Sequence, residues 1–468
     1  FYTNSEGYLI TPEVLPYGEY SLVEVQAPYG YALDSTPVNF SVSAENTEKE
    51  NTLTIVKVVK QNTAQKGKIS VQKTGDIFTS VAMASSAYTN ENGEMIVNPT
   101  TYTPVFADGD LSGAVFQVIA VEDIVTLDGT VHANAGNVVA EITTDENGYA
   151  ETDLLYLGKY EIKEVQAPYG YVRNSESQFV ELTYAGQEIA VRDTVNASFV
   201  NDYQSVEISL SKVMENDELF GIGNNNEYLS VRFGLFAAED IQAADGSVIP
   251  ADGLLSEVSF DENMTAKFDV QIPFGRYYVQ EIATDEHYVL NGEKYLVNFE
   301  YMGQDIQNVD IDCGQFVNLL KRGRIEGHKT DDKSEPLENA VFGLFTADCV
   351  KFSRDTAVMT AASDENGCFE FTDVPFGQYI VREIESPSGY ILSDKEYAVS
   401  ISEDGEVIEI TAENKPITVE ISKRDVYGNE LVGAEMVLEN ADGETVDMVL
   451  SISLDTFYSN KNYATRKI

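Results

Sequence analysis

Three residue types that can react together recur in one order along the 468-residue chain: a lysine, then a glutamate, then an asparagine. Each of them lies in a short stretch in which apolar and polar residues alternate. Successive side chains of a β-strand point to opposite faces, so this alternation places all three types on the apolar face of a strand. The three sets are Lys73, Glu164 and Asn201; Lys212, Glu281 and Asn318; and Lys329, Glu383 and Asn414.

Two interpretations of these sets are open. The first is a buried Lys–Glu ion pair capped by an amide. Such pairs often stabilise a fold no better than apolar replacements do, so their repetition would need another reason. The second is covalent: a desolvated lysine loses its charge and becomes a nucleophile, and a protonated glutamate polarises the asparagine carbonyl and moves protons as ammonia leaves. The product would be an amide between the two side chains, formed once per unit without turnover.

Each glutamate lies in a repeated stretch, which is YEIKEVQAPYGYVRN at residues 160–174. Related stretches begin at Tyr20, Tyr277 and Tyr379. In each copy a tyrosine, an apolar residue and the glutamate share one face of the predicted strand. The copy at Tyr277 lacks the proline and glycine that follow the glutamate elsewhere, so it departs from the motif in the loop after Glu281.

Four features recur in a fixed order: a strand that ends in lysine, a strand such as GAVFQVIA, a turn before the glutamate strand, and a strand that ends in asparagine. Repetition of this kind indicates tandem domains. Very short connections, such as that from Asn201 to Lys212, predict an elongated rod with little freedom between units. The five predicted units are residues 1–64, a C-terminal part; 65–203, 204–320 and 321–415, which are complete; and 416–468, a partial or divergent N-terminal part.

Short alternating strands, frequent turn residues and no helical periodicity indicate an all-β fold. Units of roughly 100 residues suit a two-sheet, immunoglobulin-like sandwich. The sequence Asp-Glu-Asn-Gly is typical of a hairpin turn; a calcium loop is the alternative, but its ligand spacing is absent. In the second unit, residues 74–110 form an insertion, which is either a tolerated surface excursion or an exposed binding loop.

The composition argues against several classes of function. A formal net charge of −48 opposes nucleic-acid binding, which needs a basic surface, and disfavours docking on anionic lipid. No apolar run approaches the roughly 18 residues of a membrane span. No metal, cofactor or conventional enzyme activity is expected, because His132, His287 and His328 occur in unrelated contexts. The three cysteines are an odd, sparse set, so free buried thiols are expected rather than a disulfide framework, with a Cys349–Cys368 pair within one unit as the alternative.

Together these elements resemble the SpaA-type, or Cna B-type, domains of Gram-positive surface proteins and pilins. The resemblance rests on the lysine strand, the GAVF-like strand, the pattern G-x-Y-x-x-x-E-x-x-x-P-x-G-Y and the terminal asparagine, and it covers essentially the whole chain. It implies a prealbumin-like β-sandwich with a Lys–Asn isopeptide bond between the first and last strands, assisted by glutamate, on the three sets above. It also implies that Glu24 and Asn62 belong to a site whose lysine would precede Phe1. Lys423, at the end of the alternating stretch ITVEISK, matches the family's lysine without visible partners.

The resemblance implies a structural stalk segment of an adhesin or pilin, extracellular and attached to the cell wall, with signal peptide and sorting signal outside this sequence. Cross-links would stiffen the stalk, because each lysine lies where the chain enters a unit and each asparagine where it leaves. The alternative is an adhesin module that recognises a host matrix protein or glycan through the insertion at residues 74–110. Neighbouring pilin subunits are a further possible partner.

Overall fold

The computed structural model describes residues 1–45, 48–50, 53–89, 95–431 and 434–450. Almost all of its secondary structure is β-strand, which confirms the predicted all-β class. Within the described ranges the only helix is a single 3-10 turn, Glu227–Ser230. No helix in these ranges is long and apolar enough to span a membrane.

The second unit consists of two sheets whose side chains share one core. Its four-stranded sheet has the order Val138–Thr143, Val115–Ala120, Gly158–Gln166 and Gln178–Leu182. Its other sheet combines Tyr149–Glu151, Ile69–Ala84 and Val195–Asn201. Short strands are Lys66–Gly67, Leu155–Tyr156, Ile124–Val125 and Val131–Ala133.

The third and fourth units repeat this order of strands, which confirms tandem β-sandwich domains. The third unit has the sheets Leu254–Ser259, Arg232–Ala237, Gly275–Ala283, Tyr295–Phe299 and Thr265–Phe268, Ser205–Met214, Asn308–Asn318, with the short pair Ile241–Gln242 and Val248–Ile249. The fourth unit has Met359–Ala362, Val341–Thr346, Gly377–Glu385, Glu396–Ile401 and Cys368–Pro375, Arg322–Asp331, Val407–Asn414.

Alternation decides which side chains enter each core. Strand Val115–Ala120 buries Phe116 and Val118, whereas Gln117 between them is partly exposed. Phe116 meets Phe199 of the last strand with ring centroids 4.7 Å apart. Aromatic rings bury large apolar areas, so contacts of this kind hold the two sheets together.

The first and last strands of each complete unit are parallel neighbours. In a parallel ladder the register fixes which side chains lie side by side on the inner face. In each unit the lysine pairs with the residue two positions before the asparagine, so all three units present the lysine and asparagine in the same relation. The pairs are Lys73 with Phe199, Lys212 with Phe316, and Lys329 with Ala412.

The Asp-Glu-Asn-Gly turns are formed by their own aspartates. Asp145 Oδ1 accepts backbone N–H groups from Asn147 at 2.9 Å and Tyr149 at 3.0 Å. Asp261 and Asp364 make equivalent contacts. The aspartate oxygens are therefore engaged as turn acceptors, which confirms the prediction of plain hairpin turns.

The described part of the insertion at residues 74–110 pairs as an antiparallel hairpin and contacts the third unit. The Phe78 carbonyl accepts the Ala244 N–H at 3.2 Å, and Ser247 Oγ accepts the Val81 N–H at 2.8 Å. The insertion is therefore part of a contact between two units. Its strands are Ile69–Ala84, Ala87–Thr89, Met95–Val97 and Thr101–Asp110.

The two end units hold only short strand pairs in the described residues. In the fifth unit the lysine strand predicted over ITVEISK is absent: Ile417 is 58% exposed and Lys423 is exposed. In complete units this strand is held by neighbours on both sides, and the described part of the fifth unit supplies no such neighbours. The end strands are Gly18–Leu22, Val38–Val42, Glu48–Glu50, Leu53–Ile55, Glu435–Glu439 and Thr445–Leu450.

Candidate functional site

The nine residues of the three predicted sites are all buried. In each complete unit the lysine and asparagine lie on the first and last strands, which are paired in one sheet, and the glutamate lies on the strand that pairs with the GAVF-like strand on the other side of the core. Each glutamate pairs with a phenylalanine of the neighbouring strand, next to a β-bulge that shifts the register. The parity of the strands therefore places each set in one core, as the sequence predicted.

The third unit has the closest arrangement. Lys212 Nζ donates to Asn318 Oδ1 at 2.6 Å and to Glu281 Oε1 at 2.9 Å. Asn318 Nδ2 donates to Glu281 Oε1 at 2.9 Å and to Thr284 Oγ1 at 2.7 Å. The side chains of Lys212 and Glu281 are fully buried, and the Phe233 ring centroid is 5.3 Å from Nζ. The lysine nitrogen thus lies beside the amide that it would attack, away from solvent.

In the second unit the lysine is held by main-chain groups. Lys73 Nζ donates to the carbonyl oxygens of Thr74 at 3.0 Å and Phe199 at 3.2 Å. Asn201 Nδ2 donates to Glu164 Oε1 at 3.0 Å, whereas the buried Asn201 Oδ1 has no hydrogen-bond partner. A buried acceptor without a donor costs free energy, so non-covalent contacts leave this amide only partly satisfied.

The fourth unit leaves two groups unsatisfied. Lys329 Nζ lies 3.7 Å from Glu383 Oε1 and has no hydrogen-bond partner in the described structure. Asn414 Nδ2 donates to Glu383 Oε1 at 2.8 Å, and the buried Asn414 Oδ1 is also unpaired. An amine and an amide carbonyl without partners therefore occupy one buried site.

Burial shifts the ionisation of these side chains. Desolvation lowers the pKa of Lys73 to about 8 and also lowers the pKa of Lys212 and of Lys329. Burial raises the pKa of Glu164, although the Asn174 N–H and the charge of Lys73 oppose this shift. A lower lysine pKa increases the fraction of neutral amine, which is the nucleophilic form.

One contact shared by all the sites was not predicted. The second oxygen of each glutamate accepts the backbone N–H of the residue ten positions later, which fixes the carboxyl group and leaves its other oxygen for asparagine in the complete units. A signal for it exists in the sequence, because every copy of the glutamate stretch ends in a small polar residue. The donors are Asp34 at 3.1 Å, Asn174 at 2.6 Å, Asn291 at 2.6 Å and Ser393 at 2.8 Å.

The first unit contains the glutamate and asparagine of a further site. Asn62 Nδ2 donates to Glu24 Oε2 at 2.7 Å, and both side chains are partly exposed. Lys60 of the same unit is engaged elsewhere, in an ion pair with Asp34 at 2.5 Å. Lys423 is exposed, and the described part of the chain does not bring it to a glutamate or an asparagine of this type.

In the described structure the cysteines and histidines form no second set of this kind, and the one contact between them is Cys368 Sγ to His328 Nδ1 at 3.8 Å. The cysteines Cys313, Cys349 and Cys368 are free, and only Cys313 is buried. Histidines lie apart in different units; His132, for example, stacks on Tyr156 at 3.5 Å between ring centroids. No group of three or more His, Cys, Asp and Glu side chains among the described residues is arranged to hold a metal ion.

A family model described as the SpaA prealbumin-like fold domain matches residues 1–57, 106–195 and 323–416, together more than half of the chain. The chain belongs to this family of prealbumin-like domains. The matches fall in the first, second and fourth units, and the third unit has the same sheet order.

Individual proteins show more distant similarity. A collagen adhesin of Staphylococcus aureus is 24% identical over 243 residues, which are 48% of this chain and 18% of the adhesin. The solved structure of the Bacillus anthracis TIE protein has a TM-score of 0.50 and 21% identity, covering 76% of this chain and 51% of that chain. BcpA, the major pilin subunit of Bacillus cereus, has 17% identity, a TM-score of 0.33, and coverage of 75% of this chain and 100% of its own. This chain therefore spans less than a fifth of the adhesin and about half of the TIE protein. The similarity to the TIE protein structure supports the fold.

Proposed function

We propose that the chain is a structural stalk segment of a Gram-positive surface adhesin or pilin, in which intramolecular Lys–Asn isopeptide bonds stiffen the three complete units. The observation that carries the proposal is the buried third-unit site. There Lys212 Nζ lies 2.6 Å from Asn318 Oδ1, and Asn318 Nδ2 donates to Glu281. Membership of the SpaA family and the similarity to a collagen adhesin support an extracellular, cell-wall-attached location.

The orientation of the asparagine amide gives the glutamate a specific role. Neutral Lys212 Nζ attacks Asn318 Cγ and forms the Nζ–Cγ bond. Glu281 accepts a proton from Nζ and delivers one to Nδ2, so the Cγ–Nδ2 bond breaks and the nitrogen leaves as ammonia. In every site the glutamate contacts the amide nitrogen rather than the carbonyl oxygen expected from sequence, which favours this leaving-group role.

Each bond forms once, so the chain is a self-processing structural protein without enzymatic turnover. Folding itself supplies the catalysis, because holding the amine beside the amide replaces an encounter in solution. The two linked strands are the first and the last of a unit. Tension along the chain therefore enters and leaves each unit at the cross-linked strands and bypasses most of the sandwich.

Intact-mass spectrometry tests the proposal. The full chain should be lighter than its sequence by three molecules of ammonia, one for each complete unit. Glu164→Ala should restore one of them. Lys60→Ala is the matched control, because Lys60 pairs with Asp34 outside the three sites, and it should leave the loss unchanged. A mass equal to that of the unmodified chain would refute isopeptide formation.

A second candidate function is ligand binding through the hairpin insertion. Its outer part exposes Met83, Met95 and Val97, which are 71%, 72% and 63% accessible. Apolar side chains exposed together can mark an interaction site, and a host matrix protein or glycan would be the partner. Replacing residues 81–104 by Asn-Gly and measuring binding to immobilised collagen tests this function. Binding by the parent that the shortened variant loses would support it, whereas equal binding or none by either would reject it for collagen.

A further inference from the structure

Two glutamines are buried where one unit passes into the next. Gln65 is 1% exposed and Gln204 is fully buried. Each begins the unit that follows the connection, and neither belongs to the Lys–Glu–Asn sites. A buried carboxamide is stable only when its donor and acceptor atoms are hydrogen-bonded, so the partners of these two side chains show what the position does.

Gln204 joins the second unit to the third. Its backbone N–H donates to the Gly170 carbonyl at 3.0 Å, in the loop after Glu164 of the second unit. Its side-chain Nε2 donates to the carbonyls of Gly303 at 3.1 Å and Ile306 at 2.6 Å, and its Oε1 accepts the Met302 N–H at 2.8 Å. A single residue therefore connects a loop of each unit and is satisfied at both ends of its amide.

The loop of the third unit also reaches back. Gln304 Oε1 accepts the Ala167 N–H at 2.8 Å, and the Gln304 carbonyl accepts the Arg173 N–H at 2.8 Å. Tyr301 donates its hydroxyl to the Tyr171 carbonyl at 3.2 Å. Gln204 and Gln304 thus make reciprocal contacts between the second and third units, and we name this pair the glutamine clasp.

The first joint repeats the clasp with the same residue types. Its sequence signature is QAPYGY in the preceding unit, a buried glutamine at the connection, and Tyr-x-Gly-Gln in the following unit. The same combination of contacts at two separate joints argues against a chance arrangement. The contacts are Gln65 Nε2 to the Gly186 and Ile189 carbonyls, Gln65 Oε1 to the Ala185 N–H, Gln187 Oε1 to the Ala27 N–H, and the Tyr184 hydroxyl to the Tyr31 carbonyl.

Packing at the joint explains why QAPYGY contains a glycine. Gly170 has φ of +93°, and a Cβ atom there would lie 3.0 Å from the Phe274 ring of the third unit. Backbone of this conformation favours glycine, and the close approach of the next unit leaves little room for a larger side chain. The second half of the repeated glutamate stretch is therefore a docking element.

The hairpin of the second unit braces the same joint. Phe78, Val81 and Tyr102 pack against the core of the third unit. An aromatic row continues this contact, with ring centroids 5.2 Å apart between Phe106 and Tyr203. The second joint therefore combines buried hydrogen bonds with apolar packing on a second element.

We propose that the glutamine clasps fix the orientation of consecutive units, and that the clasp and hairpin together make residues 65–320 one rigid two-unit body. The partner of the docking surface around QAPYGY is the next unit of the same chain, recognised by its Tyr-x-Gly-Gln loop. The isopeptide sites lie inside single units, so this inference stands or falls separately from the bonds.

Pulsed electron paramagnetic resonance on the full chain tests the rigidity. Spin labels on Lys163→Cys and Glu257→Cys, both exposed, report the distance between the second and third units. The accessible cysteines Cys349 and Cys368 are replaced by serine, and Cys313 remains because it is buried. The parent should give one narrow distance distribution.

Three variants separate the clasp from the hairpin. Gln204→Ala should broaden the distribution, and so should replacement of residues 81–104 by Asn-Gly; the double variant should broaden it most. Gln280→Ala is the matched control, because Gln280 donates only to Gly292 within its own unit in the described structure, and it should change nothing. Intact mass and thermal unfolding confirm that the units of each variant are folded and bonded as in the parent. A broad distribution in the parent would refute the rigid body, and an unchanged distribution in Gln204→Ala would refute the clasp.

Discussion

The interiors of the units and the joints between them follow different rules. Inside the complete units the lysine, glutamate and asparagine keep the same strand register in every copy. The joints change: the first and second use buried glutamines, whereas the third uses Arg322, which pairs with Glu215 at 2.9 Å and Asp217 at 3.1 Å. Site and joint are therefore separable parts of the repeat, and one can vary while the other is kept.

The third joint explains the unusual third copy of the glutamate stretch. His287 takes the place of Gly170 there, since its carbonyl accepts the N–H of Lys321, the counterpart of Gln204. The same loop still caps Glu281 through the Asn291 N–H. The missing proline and glycine thus alter the docking element and leave the site intact.

Removing a site glutamate should change the mass and the stability of a unit more than any other substitution that we propose. We expect Glu281→Ala to keep one ammonia and to lose about 4–5 kcal/mol of stability in the third unit, the value for a disulfide that closes a loop of roughly 100 residues. Mass spectrometry and calorimetry measure these changes. Distances across the second joint should not change, because the contacts of Gln204 and Gln304 lie outside the third-unit site. A variant that loses ammonia as the parent does would contradict the role of Glu281.

A smaller change in stability, dependent on pH, should come from the ionisation of a site lysine that has no isopeptide bond. In Asn201→Ala no bond can form, and Lys73 keeps a pKa of about 8 in the folded unit against 10.5 when unfolded. The unfolded chain therefore binds more protons between these values, and stability should rise with pH, by up to about 2 kcal/mol from pH 8 to 9.5. The range ends at pH 9.5 because unfolded tyrosines, whose pKa is about 10, ionise mainly above this pH.

Urea unfolding with a tryptophan probe measures this pH dependence. The chain contains no tryptophan, so Tyr156→Trp reports on the second unit alone. The control is Asn201→Ala combined with Lys73→Met, which removes the titrating group and should show no rise in stability. Equal slopes in the two variants would contradict the assignment to Lys73.

The smallest expected effect concerns the ionic third joint. Arg322 is 22% exposed, so its ion pairs should be screened by salt and contribute about 1 kcal/mol or less. We expect Arg322→Gln, or high salt, to broaden the distance distribution between labels at Glu257→Cys and Glu370→Cys. The distribution across the second joint should stay narrow in high salt. Equal salt sensitivity at both joints would remove the distinction between them.

Strand parity was sufficient to predict which residues lie together in each core, but not the joints. Lys73, Glu164 and Asn201 could be placed together because alternation within one unit defines its buried face. Gln204 could not, because its partners belong to another unit and no periodicity links them. For Lys423 the pattern predicted a strand that the described structure does not contain. Its stretch alternates like a lysine strand, but a strand forms only where neighbours satisfy its backbone groups.

The central claim is that folding joins a lysine to an asparagine in each complete unit. Tandem mass spectrometry of a protease digest tests it most directly in the third unit. We predict one branched peptide in which Lys212 Nζ is bonded to Asn318 Cγ, with one ammonia lost, in the parent and in Gln204→Ala alike. Recovery of the Lys212 and Asn318 peptides as separate, unmodified species would contradict the account.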